Sequence, residues 1–218
     1  MCGFSRSAAL FMSVGIIAAG VAISPLGAPR AWADEKAGAK PGAKPGAPAE
    51  KKLGVGSPAP EFAPQTWVKG DQVSGFQPGR VYVVEFWATW CGPCRESIPH
   101  LTELQAKFKD SVTIIGMASS ERVKKGGTDE RLSLVQKFVK EQGDKMNYTI
   151  AFEPDRAISK AWMSAAGVNT IPHAFIVGGD GKIAWIGDPR EPAFEQNLKK
   201  AVDAAKPSRT DSSNPKPR

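Results

Sequence analysis

Two spacings of apolar residues alternate along the chain between residues 53 and 205. Short runs rich in β-branched and aromatic side chains predict buried strands at 81–87, 112–118, 148–152, 174–177 and 182–185. Apolar residues three or four positions apart predict helices at 99–109, 129–142, 155–163 and 192–205. The alternation ends in a hairpin, whose turn is the Gly-Gly-Asp-Gly run 178–181, and a final helix. This order predicts an α/β fold, a mixed β-sheet with helices on both faces.

Residues 1–33 have the pattern of a secretory signal. Arg6 supplies the positive start, residues 8–23 form a long apolar stretch, and a final Ala-Trp-Ala predicts cleavage after Ala33. Cleavage there removes Cys2 and leaves two cysteines. We therefore expect export, with a periplasmic location, where disulfides persist.

An uncleaved membrane anchor is the alternative for this segment. Residues 8–28 are about long enough to span a bilayer. Pro25, Gly27 and Pro29 interrupt the end of that stretch and favour a cleaved signal peptide.

Composition divides the rest of the chain into three parts. Residues 34–52 repeat Ala, Lys, Pro and Gly with almost no bulky apolar side chain, which predicts a disordered spacer. Residues 206–218 form a second polar tail. The remaining 53–205 are long enough for one domain with its own core.

The basic character of the chain comes from its ends. The sequence holds 29 Lys and Arg against 22 Asp and Glu. Basic and acidic residues balance between 53 and 205, so the domain has no formal net charge. A nucleic-acid-binding domain carries a basic patch on the fold itself. We expect no nucleic-acid partner.

The run Trp90-Cys91-Gly92-Pro93-Cys94 carries the chemistry. It joins the predicted strand 81–87 to a helix, so Cys91 lies at the helix start. Exposed backbone N–H groups and the positive end of the dipole stabilise a thiolate there. A Cys-x-x-Cys pair in this context predicts a redox site. Half of a zinc site is the alternative, but neither His100 nor His173 lies in an H-x3-5-H pair.

The segment 83–94 resembles the active-site segment of thioredoxin-fold proteins, and 167–177 resembles the segment with their cis-proline. Residues 181–187 look like the hairpin strand that follows. Together with Trp90, the export signal and the insertion between 118 and 148, these segments resemble the TlpA/ResA-like branch of exported thiol-disulfide oxidoreductases. The resemblance covers about 55–200.

The residues and the resemblance together predict an active site. Cys91 is the expected nucleophile, and Cys94 the thiol that resolves the mixed disulfide. Gly92 and Pro93 keep the turn tight and match the pair of thioredoxin, whose potential of about −270 mV favours a reductant. Trp90 borders the nucleophile and is expected to line the docking surface.

Three further expectations come from the resemblance. Glu85 shares a strand face with Val83 and Trp87, and the resemblance implies a buried proton acceptor near Cys94. The alternative for Glu85 is a carboxylate paired with a lysine or facing water. The resemblance also implies that Pro172 is cis and that the backbone of Ile171 pairs with the substrate.

We therefore expect an exported thiol-disulfide oxidoreductase that reduces protein disulfides and needs no cofactor beyond the Cys91–Cys94 couple. Its partners by resemblance are a client such as apocytochrome c or a copper-site assembly protein, and a membrane thiol electron donor, with a possible membrane tether at the N-terminus. A Cu(I)-binding module using the same thiols is the second interpretation, and a thiol peroxidase the third.

Overall fold

The computed structural model describes residues 52–123 and 126–206. The predicted signal, the spacer up to residue 51 and the tail from residue 207 lie outside the described residues. The described strands are β1 (Thr66–Lys69), β2 (Val81–Trp87), β3 (Val112–Ala118), β4 (Thr149–Phe152), β5 (His173–Val177) and β6 (Ile183–Gly187). The described helices are α1 (Gly92–Lys107), α2 (Arg131–Gln142), α3 (Ala157–Ser159, continued by a π-helix over Lys160–Ser164) and α4 (Pro192–Ala205).

The strands form one six-stranded sheet in the order β1-β4-β3-β2-β5-β6. The pairs β2–β3 and β3–β4 are parallel, and the pairs β1–β4, β2–β5 and β5–β6 are antiparallel. The predicted mixed sheet is therefore confirmed. The β2 strand lies inside this sheet and is buried along its whole length, including Glu85, as its otherwise apolar run indicates.

Two apolar layers cover the two faces of the sheet. The buried side chains of α1, α2 and α4 pack on one face, together with alternate residues of β2 such as Val83 and Trp87. On the other face, Tyr82, Val84 and Phe86 of β2 pack against α3 and the segment before β1. Helices on both faces are confirmed. We call the first of these layers, which also contains both cysteines, the thiol face.

Most predicted ends agree with the structure, and the exceptions have physical causes. The α1 helix begins at Gly92, seven residues before the predicted start at residue 99, and Pro99 lies inside it. Proline usually breaks a helix. The helix continues through Pro99 because Ile98 and Leu101, on either side of it, are buried against the sheet. The predicted helix 155–163 is α-helical only over Ala157–Ser159 and continues as a π-helix over Lys160–Ser164.

The β1 strand was not predicted. Its four residues are all partly buried and show no alternation. It is an edge strand held by antiparallel pairing to β4, with an irregularity between Trp67 and Lys69. Pairing partners so distant in sequence leave no local pattern to detect.

Gly116 in β3 is a position where the packing leaves no room for a side chain. A Cβ atom there would lie 3.0 Å from Nε1 of Trp87, 2.9 Å from Cδ1 of Ile150 and 3.1 Å from Cε2 of Tyr148. We expect Gly116→Ala to lower the free energy of unfolding by about 1–3 kcal/mol, the usual cost of overpacking. Urea unfolding measures this change. Gly54→Ala is the matched control, since nothing lies within 4 Å of a Cβ there, and an equal loss in both variants would contradict the packing argument.

Candidate active site

The two cysteines of the motif lie where β2 leads into α1, and they form a disulfide with an S–S distance of 2.07 Å. Cys91 is the N-cap of α1, and its Sγ accepts a hydrogen bond from the backbone N–H of Cys94 at 3.2 Å. The helix start therefore directs unpaired N–H groups and the positive end of its dipole at this sulfur. These groups favour the thiolate form of Cys91 once the disulfide is reduced.

The two sulfurs differ in their access to solvent. Cys91 is 4% exposed and Cys94 is 1% exposed. Gly92 and Pro93, between them, are both exposed. Both cysteines are thus buried, Cys91 is slightly the more accessible of the two, and the order of attack stays a prediction.

The segment before β5 closes the other side of the disulfide. The Ile171–Pro172 peptide bond is cis, as expected. The carbonyl oxygen of Ile171 lies 3.8 Å from Sγ of Cys91. Pro172 is buried and Ile171 is partly exposed, so backbone groups of Ile171 border the approach to the nucleophile.

Trp90 lies on the surface beside Cys91, with 44% of the residue exposed. Its indole N–H donates to the carbonyl of Ser120 at 2.9 Å, and the guanidinium of Arg122 lies 3.8 Å from the ring centroid. Glu121 accepts from the backbone N–H of Thr89 at 2.6 Å and from its hydroxyl at 2.9 Å. The loop after β3 therefore holds the loop that carries the motif.

Sequence reasoning missed Glu121 and Arg122. The signal was their position just after β3, which is parallel to β2. Carboxyl ends of parallel neighbours meet at one edge of a sheet, where sites in open α/β sheets form.

Glu85 points into the thiol face of the sheet and is 1% exposed. Burial raises the pKa of its carboxyl to about 8, and the negative charge of Asp188 adds to the rise. Within 52–123 and 126–206, its Oε1 has no hydrogen-bond partner. A carboxylate that faces water is thus wrong for Glu85, and a raised pKa is the opposite of what a lysine partner produces.

Small residues flank Glu85 across the sheet. It pairs with Gly116 of β3 on one side and Ala174 of β5 on the other. Tyr148 and Trp87 lie against Gly116. Burial and the nearby Glu85 raise the pKa of Tyr148. The small neighbours leave room for a buried carboxyl on the same sheet face as Cys94.

Asp188, just after β6, is a second group that sequence reasoning missed. Arg190 donates to its carboxylate at 2.7 Å. Burial alone would raise the pKa of Asp188, but the hydrogen bonds from Arg190 outweigh it and the pKa is lowered. Asp188 therefore remains ionised, and its charge opposes ionisation of Glu85. Burial lowers the pKa of the half-buried His173, although the negative charge of Asp188 acts to raise it.

Among the described residues, no group of three or more His, Cys, Asp or Glu side chains is placed to bind a metal ion. In the same part of the chain, no helix is both long enough and apolar enough to cross a membrane.

The site thus combines a cysteine pair at the start of a helix with a cis-proline beside it and a buried carboxyl on the same face of the sheet. The chain belongs to the Redoxin family, whose profile matches residues 54–202.

Two individual proteins are similar to this chain. Protein FixW of Rhizobium leguminosarum is 36% identical over 137 residues, which are 62% of this chain and 61% of FixW. The match thus spans less than two thirds of FixW. The thiol-disulfide oxidoreductase ResA of Bacillus thuringiensis subsp. konkukian is 30% identical over 69% of this chain and 80% of its own.

A solved structure is similar as well. The thioredoxin domain of a thiol-disulfide oxidoreductase from Bacteroides vulgatus superimposes with a TM-score of 0.53 at 26% identity, over 69% of this chain and 99% of that domain. The protein is thus a thiol-disulfide oxidoreductase.

Proposed function

We propose that the protein reduces disulfide bonds of client proteins outside the cytoplasm, by cycling Cys91 and Cys94 between dithiol and disulfide. The observation that carries this proposal is the position of Cys91 as N-cap of α1, with Cys94 buried directly behind it. The N–H groups at the helix start favour the thiolate of Cys91 and suit it for attack, and burial of Cys94 suits it for resolution.

The cycle balances in electrons and protons. The Cys91 thiolate attacks one sulfur of the client disulfide, a mixed disulfide forms, and the other client sulfur leaves as a thiolate. Cys94 then loses its proton and attacks Sγ of Cys91, which releases the second client thiol and leaves the protein oxidised. Two electrons pass to the client, and an external thiol donor must return two electrons to the Cys91–Cys94 disulfide.

Glu85 is proposed to accept the proton of Cys94. Its pKa of about 8 lies close to that of a thiol, so proton transfer between them changes the free energy little. At neutral pH most of the carboxyl is protonated, and the ionised minority is the form that accepts the Cys94 proton. The carboxyl lies on the same buried sheet face as Cys94.

Location and partners complete the proposal. The signal pattern of 1–33 supports export to the periplasm, with a membrane tether as the alternative. Resemblance to the TlpA/ResA-like branch favours clients such as apocytochrome c or a copper-site assembly protein, and a membrane thiol carrier as electron donor.

The reduction potential of the Cys91–Cys94 couple tests this function. We expect a value near that of thioredoxin, about −270 mV, because the motif has the same Gly-Pro pair. Equilibration with defined dithiol–disulfide buffers, followed by thiol alkylation and mass spectrometry, measures it. A potential near −120 mV, as in strong oxidants, would contradict the reductase.

A copper titration distinguishes the second interpretation, a Cu(I)-binding module, from the reductase. The reduced protein is titrated with Cu(I) against a competing chelator, and the oxidised protein serves as control. Tight binding of Cu(I) by the reduced form, combined with no turnover of disulfide substrates, would favour a copper-binding module over a reductase.

A further inference from the structure

We propose that a pocket beside Cys91 binds an acidic side chain of the client, close in sequence to the client's reacting cysteine. We call it the client pocket; among the residues that line it are Trp90, Arg122, Arg156, Met163, Val168 and Ile171, and Glu121 is its one acidic lining residue. The inference rests on the proposed function and names the chemistry of the substrate that the same site selects.

The position of the client pocket couples it to the reacting sulfur. Its volume is about 370 Å³, enough for one side chain. Trp90 and Ile171 line it, and these residues also border Cys91 in sequence and in space, with the Ile171 carbonyl oxygen 3.8 Å from Sγ. A client chain bonded to Cys91 therefore passes over the pocket within a residue or two of its own cysteine.

The rim of the client pocket carries two arginines. Arg122 and Arg156 are both exposed, and among the described residues neither guanidinium forms an ion pair with a carboxylate. Arg122 stacks on the ring of Trp90 at 3.8 Å, which leaves the edge of its fork available. A planar guanidinium fork binds a carboxylate through two parallel hydrogen bonds.

The carboxylates nearest to these arginines are already bound elsewhere. Each accepts hydrogen bonds from other groups: Glu121 from Thr89, Glu153 from the backbone of Ile158 and Ser159, and Asp155 from Gln65 and the backbone of Ala157. Arg156 also interacts electrostatically with Glu153. The pocket lining still holds two guanidinium groups against the single carboxylate of Glu121, which is bound to Thr89, and its charge therefore favours an anion.

The backbone of Arg156 is a second, independent observation. Its φ of 61° places it in the left-handed region, and it is the only non-glycine residue with positive φ within 52–123 and 126–206. Such strained residues cluster at ligand-binding sites. The left-handed turn places Arg156 on the pocket rim, just before α3.

The lower part of the pocket fits the stem of an acidic side chain. Met163 and Val168 provide apolar contacts for the methylene groups of a glutamate, while the arginines at the rim meet its carboxylate. A glutamate client residue satisfies both parts at once, whereas a glutamine has the same shape without the charge. Comparing a client that has Glu at this position with one that has Gln therefore tests the pocket most directly.

Competition for a trapped intermediate tests the proposal. The variant Cys94→Ser is mixed with equal amounts of two peptide disulfides that differ only in Glu or Gln next to the reacting cysteine, and mass spectrometry measures the ratio of trapped peptides. We expect the Glu peptide to be favoured about fivefold, which corresponds to about 1 kcal/mol, the upper end of what an exposed ion pair contributes. The preference should shrink as salt rises.

Variants of the two arginines test whether these residues cause the preference for the Glu peptide. Arg122→Gln combined with Arg156→Gln should reduce the ratio to near one. The matched control is Lys109→Gln combined with Lys160→Gln, which removes two exposed charges outside the pocket and should keep the ratio. Equal trapping of both peptides by the protein with intact arginines overturns the client pocket, and so does a preference that survives loss of both arginines.

One further assay distinguishes the reductase function from the client pocket. It measures whether the protein with both cysteines reduces the neutral disulfide of 2-mercaptoethanol. If that reaction fails while the Glu peptide is still trapped preferentially, the reductase function is wrong and the client pocket stands. If the reaction proceeds but trapping shows no preference, the reductase stands and the client pocket is wrong.

Discussion

Cys91→Ser is expected to abolish reduction of a disulfide substrate, whereas Cys94→Ser should accumulate a mixed disulfide with it. The reason is the asymmetry of the pair: the sulfur of Cys91 caps the start of α1 and is the more exposed, and Cys94 lies buried behind it. Without Cys91 no attack occurs. Without Cys94 the attack occurs and its product cannot resolve.

Mass spectrometry of the quenched reaction detects the mixed disulfide, and a thiol-release assay follows turnover. The double variant Cys91→Ser/Cys94→Ser provides the baseline, and circular dichroism verifies that each variant is folded. Turnover by Cys91→Ser, or a mixed disulfide formed through Cys94 alone, would show that Cys91 is not the nucleophile.

Glu85→Gln should slow the resolving step about a hundredfold and leave formation of the mixed disulfide nearly unchanged. A positioned general base typically contributes this much, and only Cys94 needs its proton removed within the buried face. Stopped-flow measurement of the two phases separates the steps. Glu96→Gln is the matched control, because that carboxylate is on the exposed side of α1. Equal resolving rates in wild type and Glu85→Gln would reject the base role.

The same variant has a consequence for stability that does not depend on catalysis. The pKa of Glu85 is about 8 in the folded protein against 4.5 for a free glutamate side chain. Between these values the folded state holds a proton that the unfolded state has lost. The stabilisation is therefore fully present below about pH 4.5, and it declines as pH rises to about 8, at about 1.4 kcal/mol per pH unit.

Urea unfolding of the oxidised protein at several pH values measures this decline, and in that state the cysteines do not titrate. The difference between wild type and Glu85→Gln isolates Glu85, because His173 and the other titrating groups are common to both proteins. We expect the difference to change steadily up to about pH 8 and then level off. A difference independent of pH would show that the carboxyl has an ordinary pKa.

Local pattern was sufficient for the main elements and for the reacting pair. The strands 81–87 and 112–118 and the helix 192–205 agree with the structure at both ends, because each is a continuous segment whose burial follows its own residue spacing. The cysteines needed only their spacing and the strand before them. The cis bond before Pro172 followed from resemblance, since no local pattern distinguishes it from a trans bond.

The remaining features depend on residues that are distant in sequence. Pairing with β4 makes β1 a strand, and burial of α1 against the sheet overrides the helix-breaking tendency of Pro99. The positions of Glu121 and Arg122 at the motif, and of Asp188 near Glu85, follow from the order of strands in the sheet.

The sequence by itself determined the class of fold, the two sulfurs and the carboxyl on β2, because each of these depends on residue type and short-range spacing. Only the tertiary structure decided how those groups behave. The proton affinity of Glu85 depends on how completely the sheet and helices bury it, and the character of the client pocket depends on which carboxylates nearby are already bound. Both are properties of an environment assembled from distant segments, and electrostatic free energies depend on that environment more than on the identity of the charged group.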